Sequence, residues 1–202
     1  MQKMLKSCNA KVVLDLGCGE GFITNFISQL PLYTVGADLD ESIKIAKDKV
    51  DRADFVRASI INLPFRNSCF DAITLLEILE HLPDQALYMG IREIDRVLKP
   101  KGALIVSVPY RERIIYTRCI HCGRLTPLYG HLRSLDEQKI TSLLPKNYKL
   151  LEKTHLPHLE LISCYRIMSD LPFRLWFLIN NILGAIRKGY WIILKYIKLS
   201  EH

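Results

Sequence analysis

Val12-Val13-Leu14-Asp15-Leu16-Gly17-Cys18-Gly19-Glu20-Gly21 is the stretch that decides the fold. An apolar run carrying one acid leads into three alternating glycines, after which Phe22-Ile23-Thr24-Asn25-Phe26-Ile27 resumes at helical spacing. The order is buried strand, tight turn, helix. Glycine tolerates positive φ and lets a ligand approach the backbone, and a helix start offers unpaired N–H groups. Outward from the turn, Tyr33-Thr34-Val35-Gly36-Ala37-Asp38 reads as the next strand. It ends in an acid about 20 residues after the turn, where a ribose-binding carboxylate belongs. Together the two features predict an adenosine-containing cofactor.

Strand and helix signals alternate through the first half. Strands are expected near 11–16, 33–38, 54–57, 71–76 and 102–108, and helices near 20–30, 41–50 and 84–97. Short apolar runs bounded by Gly, Pro and Asp suit strands buried on both faces. Asp40 and Asp84 stand where helix caps are expected. Such alternation predicts a parallel sheet with right-handed crossovers. Beyond it, residues 109–133 are basic and loop-like, with Arg111, Arg113, Arg118, Arg124 and Arg133. A helix is then expected from Ser134, a capping-box serine with Glu137 three residues on, to Leu144. Asn147–Glu152 reads as a sixth strand, 161–188 as helical, and Tyr190–Tyr196 as a final strand.

The strand-Asp-x-Gly-x-Gly-x-Gly pattern resembles motif I of class I S-adenosylmethionine-dependent methyltransferases. Leu63-Pro64-Phe65, then Ser68-Cys69-Phe70-Asp71-Ala72-Ile73, resembles that family's stretch before strand four. Leu76-Glu77-Ile78-Leu79-Glu80-His81-Leu82 resembles the segment after strand four, and Arg96-Val97-Leu98-Lys99-Pro100-Lys101-Gly102 the turn into strand five. These matches run in family order over residues 11–108, and the nearest branch is the type 11 group. The resemblance implies a Rossmann-like, doubly wound seven-stranded sheet, mostly parallel with an antiparallel last strand. It implies one methyltransferase domain over 1–202: a cofactor-binding core at 1–108, a basic loop and helical cap within 109–188, and the last strand at 189–198.

The resemblance also assigns a binding set for S-adenosyl-L-methionine. Asp15 reaches, often through water, toward the methionine amino group, with a strand-end capping role as the alternative. Gly17 and Gly19 let the backbone pass under the methionine and ribose. Asp38 accepts from both ribose hydroxyls, a charge-assisted contact, and Leu39 packs on adenine. Many members have Gly-Asp-Ala before the "LPF" stretch, where this chain has Ala58-Ser59-Ile60. Ser59 then accepts one hydrogen bond from the adenine amino group without charge, and Ile60 supplies a backbone N–H. Glu77 is a cofactor-side residue. Glu77 and His81 stand four apart, so a helical turn would face both one way, and His81 is a candidate general base. An architectural role is equally open for both, and no catalytic base is assigned.

Cys119-Ile120-His121-Cys122-Gly123 has zinc-knuckle spacing, with His131 as a third ligand and His121, His155, His158 or Cys164 as the fourth. Two incidental loop thiols are the alternative. At 202 residues, 49% apolar and 24% charged, the chain has ordinary globular composition. The net charge of +7 favours an acidic substrate or surface. The start lacks an apolar leader, so a cytoplasmic setting with reduced thiols is expected. From Leu171 onward, Arg174, Arg187, Lys188, Lys195 and Lys198 accompany an apolar stripe from Leu175 to Ile186. It packs on the sheet or lids the pocket, or else lies on an anionic membrane as a peripheral contact.

The expected activity is therefore methyl transfer to a small-molecule or lipid acceptor. A catalytically inactive cofactor-binding subunit and a nucleic-acid methyltransferase are the alternatives. The latter is disfavoured, because Leu76-Glu77-Ile78-Leu79 replaces the Asn/Asp-Pro-Pro-aromatic motif of amino-directed base methyltransferases.

Overall fold

The computed structural model describes residues 2–156 and 190–200, together with Pro172, Leu175 and Leu178. Its elements are α1 (Gln2–Lys6), β1 (Val12–Leu16), α2 (Phe22–Ser28), β2 (Tyr33–Asp38), α3 (Ile43–Lys49), β3 (Asp54–Arg57) and β4 (Phe70–Leu76). Then follow α4 (Asp84–Val97), β5 (Leu98–Pro109), β6 (Tyr116–Arg118), β7 (Leu125–Pro127), α5 (Glu137–Leu143), β8 (Tyr148–Leu156) and β9 (Trp191–Lys198).

Seven strands form one sheet in the order β3-β2-β1-β4-β5-β9-β8, and β9 runs antiparallel to both of its neighbours. The remaining pairs are parallel. Period-two alternation covers both faces. Val13, Ala72, Ala103 and Ile105 pack with Met4 and Leu5 of α1 and Ile27 of α2. Leu14, Leu16, Ile73, Leu75, Leu104 and Val106 pack with Leu87, Ile91 and Ile94 of α4 and Ile140 of α5. Each buried Val, Leu, Ile or Met side chain among these contributes about 1.5–3 kcal/mol. Lys195, 4% exposed on β9, bonds Ser7 Oγ (2.6 Å) and Glu152 Oε1 (3.1 Å), which closes α1 against the far edge of the sheet.

The chain runs outward from β1 to β2 and β3, then crosses back to β4 and β5 on the other side. That reversal puts a topological switch point between β1 and β4, and open sheets of this kind bind ligands at the carboxyl ends of the strands there.

Several boundaries differ from expectation. β5 starts at Leu98 because Leu98 pairs with Phe70 before the register shifts, and Lys101 takes up the slack at φ 63. α5 is capped by Asp136, whose Oδ1 accepts from Lys139 N at 3.0 Å, and not by Ser134. Asp84 opens α4 without a capping bond and pairs with Arg133, while Asp40 closes a turn by accepting from Ser42 N at 2.8 Å. The basic loop contains a hairpin, β6–β7, whose turn is the Cys119–Gly123 segment, with Gly123 at φ 68. The helix expected over 161–188, the cap between the last strands, and His158 and Cys164 lie outside the described residues. Of the C-terminal stripe, Leu175 and Leu178 are described and exposed. Among the described residues no helix is long and apolar enough to cross a membrane.

Candidate functional site

At the carboxyl end of β1 the chain turns through Gly17 (φ 81) and Gly19 (φ 50). The N–H groups of Gly17 and Cys18 both donate to Ala37 O, at 2.7 and 3.2 Å, which stitches the turn to the end of β2. A Cβ on Gly17 would lie 2.2 Å from Ile78 Cδ1, whereas one on Gly19 would meet nothing within 4 Å among the described residues. Gly17 is therefore required by close packing from below, and Gly19 faces open space. Asp38 Oδ2 accepts from Gly19 N at 2.8 Å and Oδ1 from Asp40 N at 2.9 Å, so the carboxylate is fixed at the rim of that space. Leu39 beside it is 63% exposed. Ala58 N donates to Asp38 O at 2.8 Å, which brings Ser59 and Ile60 alongside. Ile60 packs against Gly90 of α4, and Ser59 closes a short turn with Asn62.

Asp15 is 2% exposed, and its two oxygens accept from Thr24 Oγ1 and Thr74 Oγ1, each at 2.7 Å. It joins β1, β4 and α2 beneath the turn. Burial raises its carboxyl pKa, and the two hydroxyl donors oppose that shift. Burial, with the nearby Asp15 and Asp38, pushes the Cys18 thiol up to about 12. Cys18 is thus a neutral packing group.

After β4 the backbone bends at Glu77, which holds φ 56, a rare conformation for a long side chain. Ser107 Oγ donates to its Oε1 at 2.6 Å and Trp191 Nε1 to its Oε2 at 2.8 Å. The strained residue is fixed by β5 on one side and β9 on the other. The segment from Glu77 to Leu82 forms a bend and turn, not a helical turn. Glu77 and His81 therefore face different partners, and their expected common face does not form. His81 instead packs edge-to-face on His131, with ring centroids 4.7 Å apart. Burial, and then His131, hold the His81 pKa below its ordinary value.

Residues 110–136, the arm between β5 and α5, fold back onto this turn. Leu132 N donates to Glu80 O at 2.7 Å, and Arg133 donates to Leu79 O at 2.8 Å, to Leu82 O and to Asp84 Oδ1 at 2.7 Å. Glu112 accepts from the His131 ring at Nδ1. Sequence reasoning did not single out Glu80, Glu112 or Trp191. Glu80 lies within a recognised segment, but its 1% exposure has no local signature, and Trp191 meets Glu77 across 114 residues.

The proposed zinc set of Cys119, Cys122 and His131 is not assembled. Among the described residues, the cluster of metal-binding side chains that includes His131 consists of Glu80, His81 and His131, without either cysteine. The hairpin carries the thiols away at its tip, while Gly130 and His131 turn in toward His81. Backbone N–H groups of Cys122 and His121 hold the Cys119 thiol below its ordinary pKa.

Glu77 carries a prediction of its own. Glu77→Gln keeps one acceptor for Trp191 and one donor for the Ser107 hydroxyl, so stability should change by less than about 1 kcal/mol. Glu77→Ala removes the acceptor shared by Ser107 Oγ and Trp191 Nε1 and should cost about 2–3 kcal/mol. Chemical denaturation of the two variants checks this; equal stabilities would mean that the bend is held by packing alone.

A family model described as "Methyltransferase domain" matches residues 14–106. A protein of Mycobacterium tuberculosis (strain H37Rv) named "Probable S-adenosylmethionine-dependent methyltransferase" is 33% identical over 145 residues, 71% of this chain and 50% of the relative. The demethylmenaquinone methyltransferase of Lactiplantibacillus plantarum is 33% identical over 144 residues, 65% of this chain and 60% of the relative. The chain spans about half the length of the curated mycobacterial relatives it matches. In fold it is similar to a SAM-dependent methyltransferase structure from Methanosarcina mazei, with a TM-score of 0.66 at 18% identity, covering 94% of this chain and 93% of that one. The turn at Gly17–Gly19, the acid ending β2, the reversed strand order and these matches agree: the chain belongs to the class I S-adenosylmethionine-dependent methyltransferases.

Proposed function

We propose that this chain transfers a methyl group from S-adenosylmethionine to an acceptor that is a small molecule or lipid bearing an acidic group. The observation that carries the reading is the Asp38 carboxylate, fixed by Gly19 N at 2.8 Å on the rim of the open space over Gly19. The residues fit the cofactor. Gly17 and Gly19 form the backbone cradle, Asp38 receives the ribose hydroxyls, and Leu39 covers adenine. Ser59 and the Ile60 N–H meet the adenine edge, and Glu77 closes the far end. Asp15 acts from below, holding the cradle through Thr24 and Thr74. When bound, the cofactor supplies a methyl group activated on a sulfonium. Orientation by the chain then provides most of the acceleration, because the leaving group is already good.

Support for an acidic acceptor comes from the arm, where Arg111, paired with Asp136, and Arg113 are exposed just after β5, and Arg118 and Arg124 are exposed beside the hairpin turn. Such charge steers anionic ligands. One relative is named a demethylmenaquinone methyltransferase, which supports the lipid part of this reading and not the acidic part. Peripheral contact with a membrane holding such a molecule would fall to Arg174, Arg187 and Lys188, because Lys195 and Lys198 are buried and bonded within the fold. Methylation assays against matched acidic and neutral acceptors at low and high salt test this reading. The acidic acceptor should turn over faster, with the advantage shrinking as salt rises. Equal turnover of neutral acceptors, insensitive to salt, would remove the arginines from substrate steering. Cofactor binding with no transfer to any acceptor would favour a regulatory subunit.

A further inference from the structure

The arm and the β4–α4 turn bring together a cluster that the cofactor site does not use. Glu80, His81 and His131 each present a ligand atom, and these atoms lie within 4.8 Å of one another. We propose that the three residues bind one divalent first-row transition ion, with Glu112 orienting His131, and that the ion ties the arm to the sheet edge. The proposal does not depend on methyl transfer.

Glu80 supplies the strongest reason. It is 1% exposed, and among the described residues neither carboxylate oxygen has a hydrogen-bond partner. A buried carboxylate left so is costly, and buried charges are ordinarily paired or coordinate a metal. Neighbouring groups do not fill that role. Both Glu77 oxygens are engaged by Ser107 and Trp191, and Arg133 is committed to Asp84 and two backbone carbonyls.

The imidazoles supply the second reason. Glu112 engages His131 at Nδ1, which leaves Nε2 for a metal and fixes the ring. This carboxylate–histidine arrangement orients metal ligands and raises their basicity. His81 meets His131 edge-to-face, so the two rings are already neighbours beside Glu80. Ligand atoms about 2.0–2.2 Å from one ion stand roughly 3–4 Å apart. The present spacing therefore closes with side-chain shifts of about an ångström.

Two nitrogens and one carboxylate oxygen select the chemistry. Magnesium and calcium prefer all-oxygen shells, whereas imidazole with carboxylate suits manganese through zinc. His81 is on the exposed side of the cluster, which leaves room there for a water or an oxygen of an acceptor.

Metal-stripped full-length protein titrated with Co2+ tests the site, with visible absorption as the readout and Zn2+ competition by calorimetry. One ion per chain is expected, with d–d bands and no thiolate charge-transfer band. His131→Ala and Glu80→Gln should each weaken binding by roughly a hundredfold, and Glu112→Gln by about 10- to 100-fold. Cys119→Ser/Cys122→Ser should bind as the parent does. Circular dichroism verifies each fold; if His131→Ala does not fold, the Glu112→Gln result decides. Absence of saturable binding, unchanged affinity in the folded His131 variant (or in Glu112→Gln if that one decides), or loss of binding in the cysteine variant would overturn the proposal. S-adenosylhomocysteine affinity measured on the same samples reads the cofactor site separately.

Discussion

Asp38→Ala should weaken S-adenosylmethionine binding by about 1.5–3 kcal/mol, the scale of hydrogen bonds to a charged group. That is roughly 10- to 150-fold in dissociation constant. The structure adds a reason beyond direct ribose contact. The same carboxylate holds Gly19 N and Asp40 N, so its removal also loosens the turn that cradles the ligand. Asp38→Asn keeps one acceptor oxygen but turns an amide N–H2 toward the second backbone donor. Its affinity should fall between those of the parent and the alanine variant. Calorimetry with S-adenosylmethionine and S-adenosylhomocysteine measures both. Parental affinity in Asp38→Ala would move ribose recognition elsewhere and with it the whole placement of the cofactor.

Asp15 should behave in the opposite way. Its carboxylate is buried with two hydroxyl donors, and burial raises its pKa above the ordinary 3.8. A raised carboxyl pKa means that the folded state binds the proton more tightly than the unfolded state. The associated stability is fully present below about pH 3.8 and is lost as pH rises through the folded value. Asp15→Asn carries no charge and can accept from one threonine while donating to the other. It should therefore match the parent at low pH and become the more stable of the two toward neutrality. Asp15→Ala leaves Thr24 and Thr74 without their acceptor and opens a cavity, a cost of about 2–4 kcal/mol. Thermal unfolding from about pH 4 to about pH 8 reads both effects. Because both oxygens face inward, Asp15→Asn should keep cofactor affinity within about threefold. A drop beyond tenfold would restore the direct role toward the methionine amino group that the family resemblance implies.

The two acids show how unevenly the site could be read. Asp38 stands out in the sequence because a strand-ending acid about 20 residues after a glycine turn has a local signature, and the structure fixes its carboxylate on Gly19 N. Asp15 was legible as a position, but its partners were not. Thr24 and Thr74 lie on α2 and β4, and nothing in their neighbourhoods marks them as donors to one buried carboxylate. Glu77 and His81 were read through helical spacing, and positive φ at Glu77 undid that reading. The strain is held by Ser107 and Trp191, which reach Glu77 from β5 and β9.

The sequence by itself determined the strand–turn–helix unit, the alternation that covers a parallel sheet on both faces, and the cofactor family. These rest on local backbone chemistry and period-two burial, which neighbouring residues carry between them. Tertiary structure alone decided where His131 went. CxxC spacing placed it with Cys119 and Cys122, but the β6–β7 hairpin carries the thiols outward while the arm turns His131 onto His81 and Glu112. That return also bonds Leu132 N to Glu80 O, beside a Glu80 carboxylate that is buried and, among the described residues, unpartnered. Ligand spacing along a chain limits which residues can meet. Which of them do meet depends on how the intervening segment is tied back, and here Leu132 N donates to Glu80 O while the Arg133 side chain donates to Leu79 O and Leu82 O.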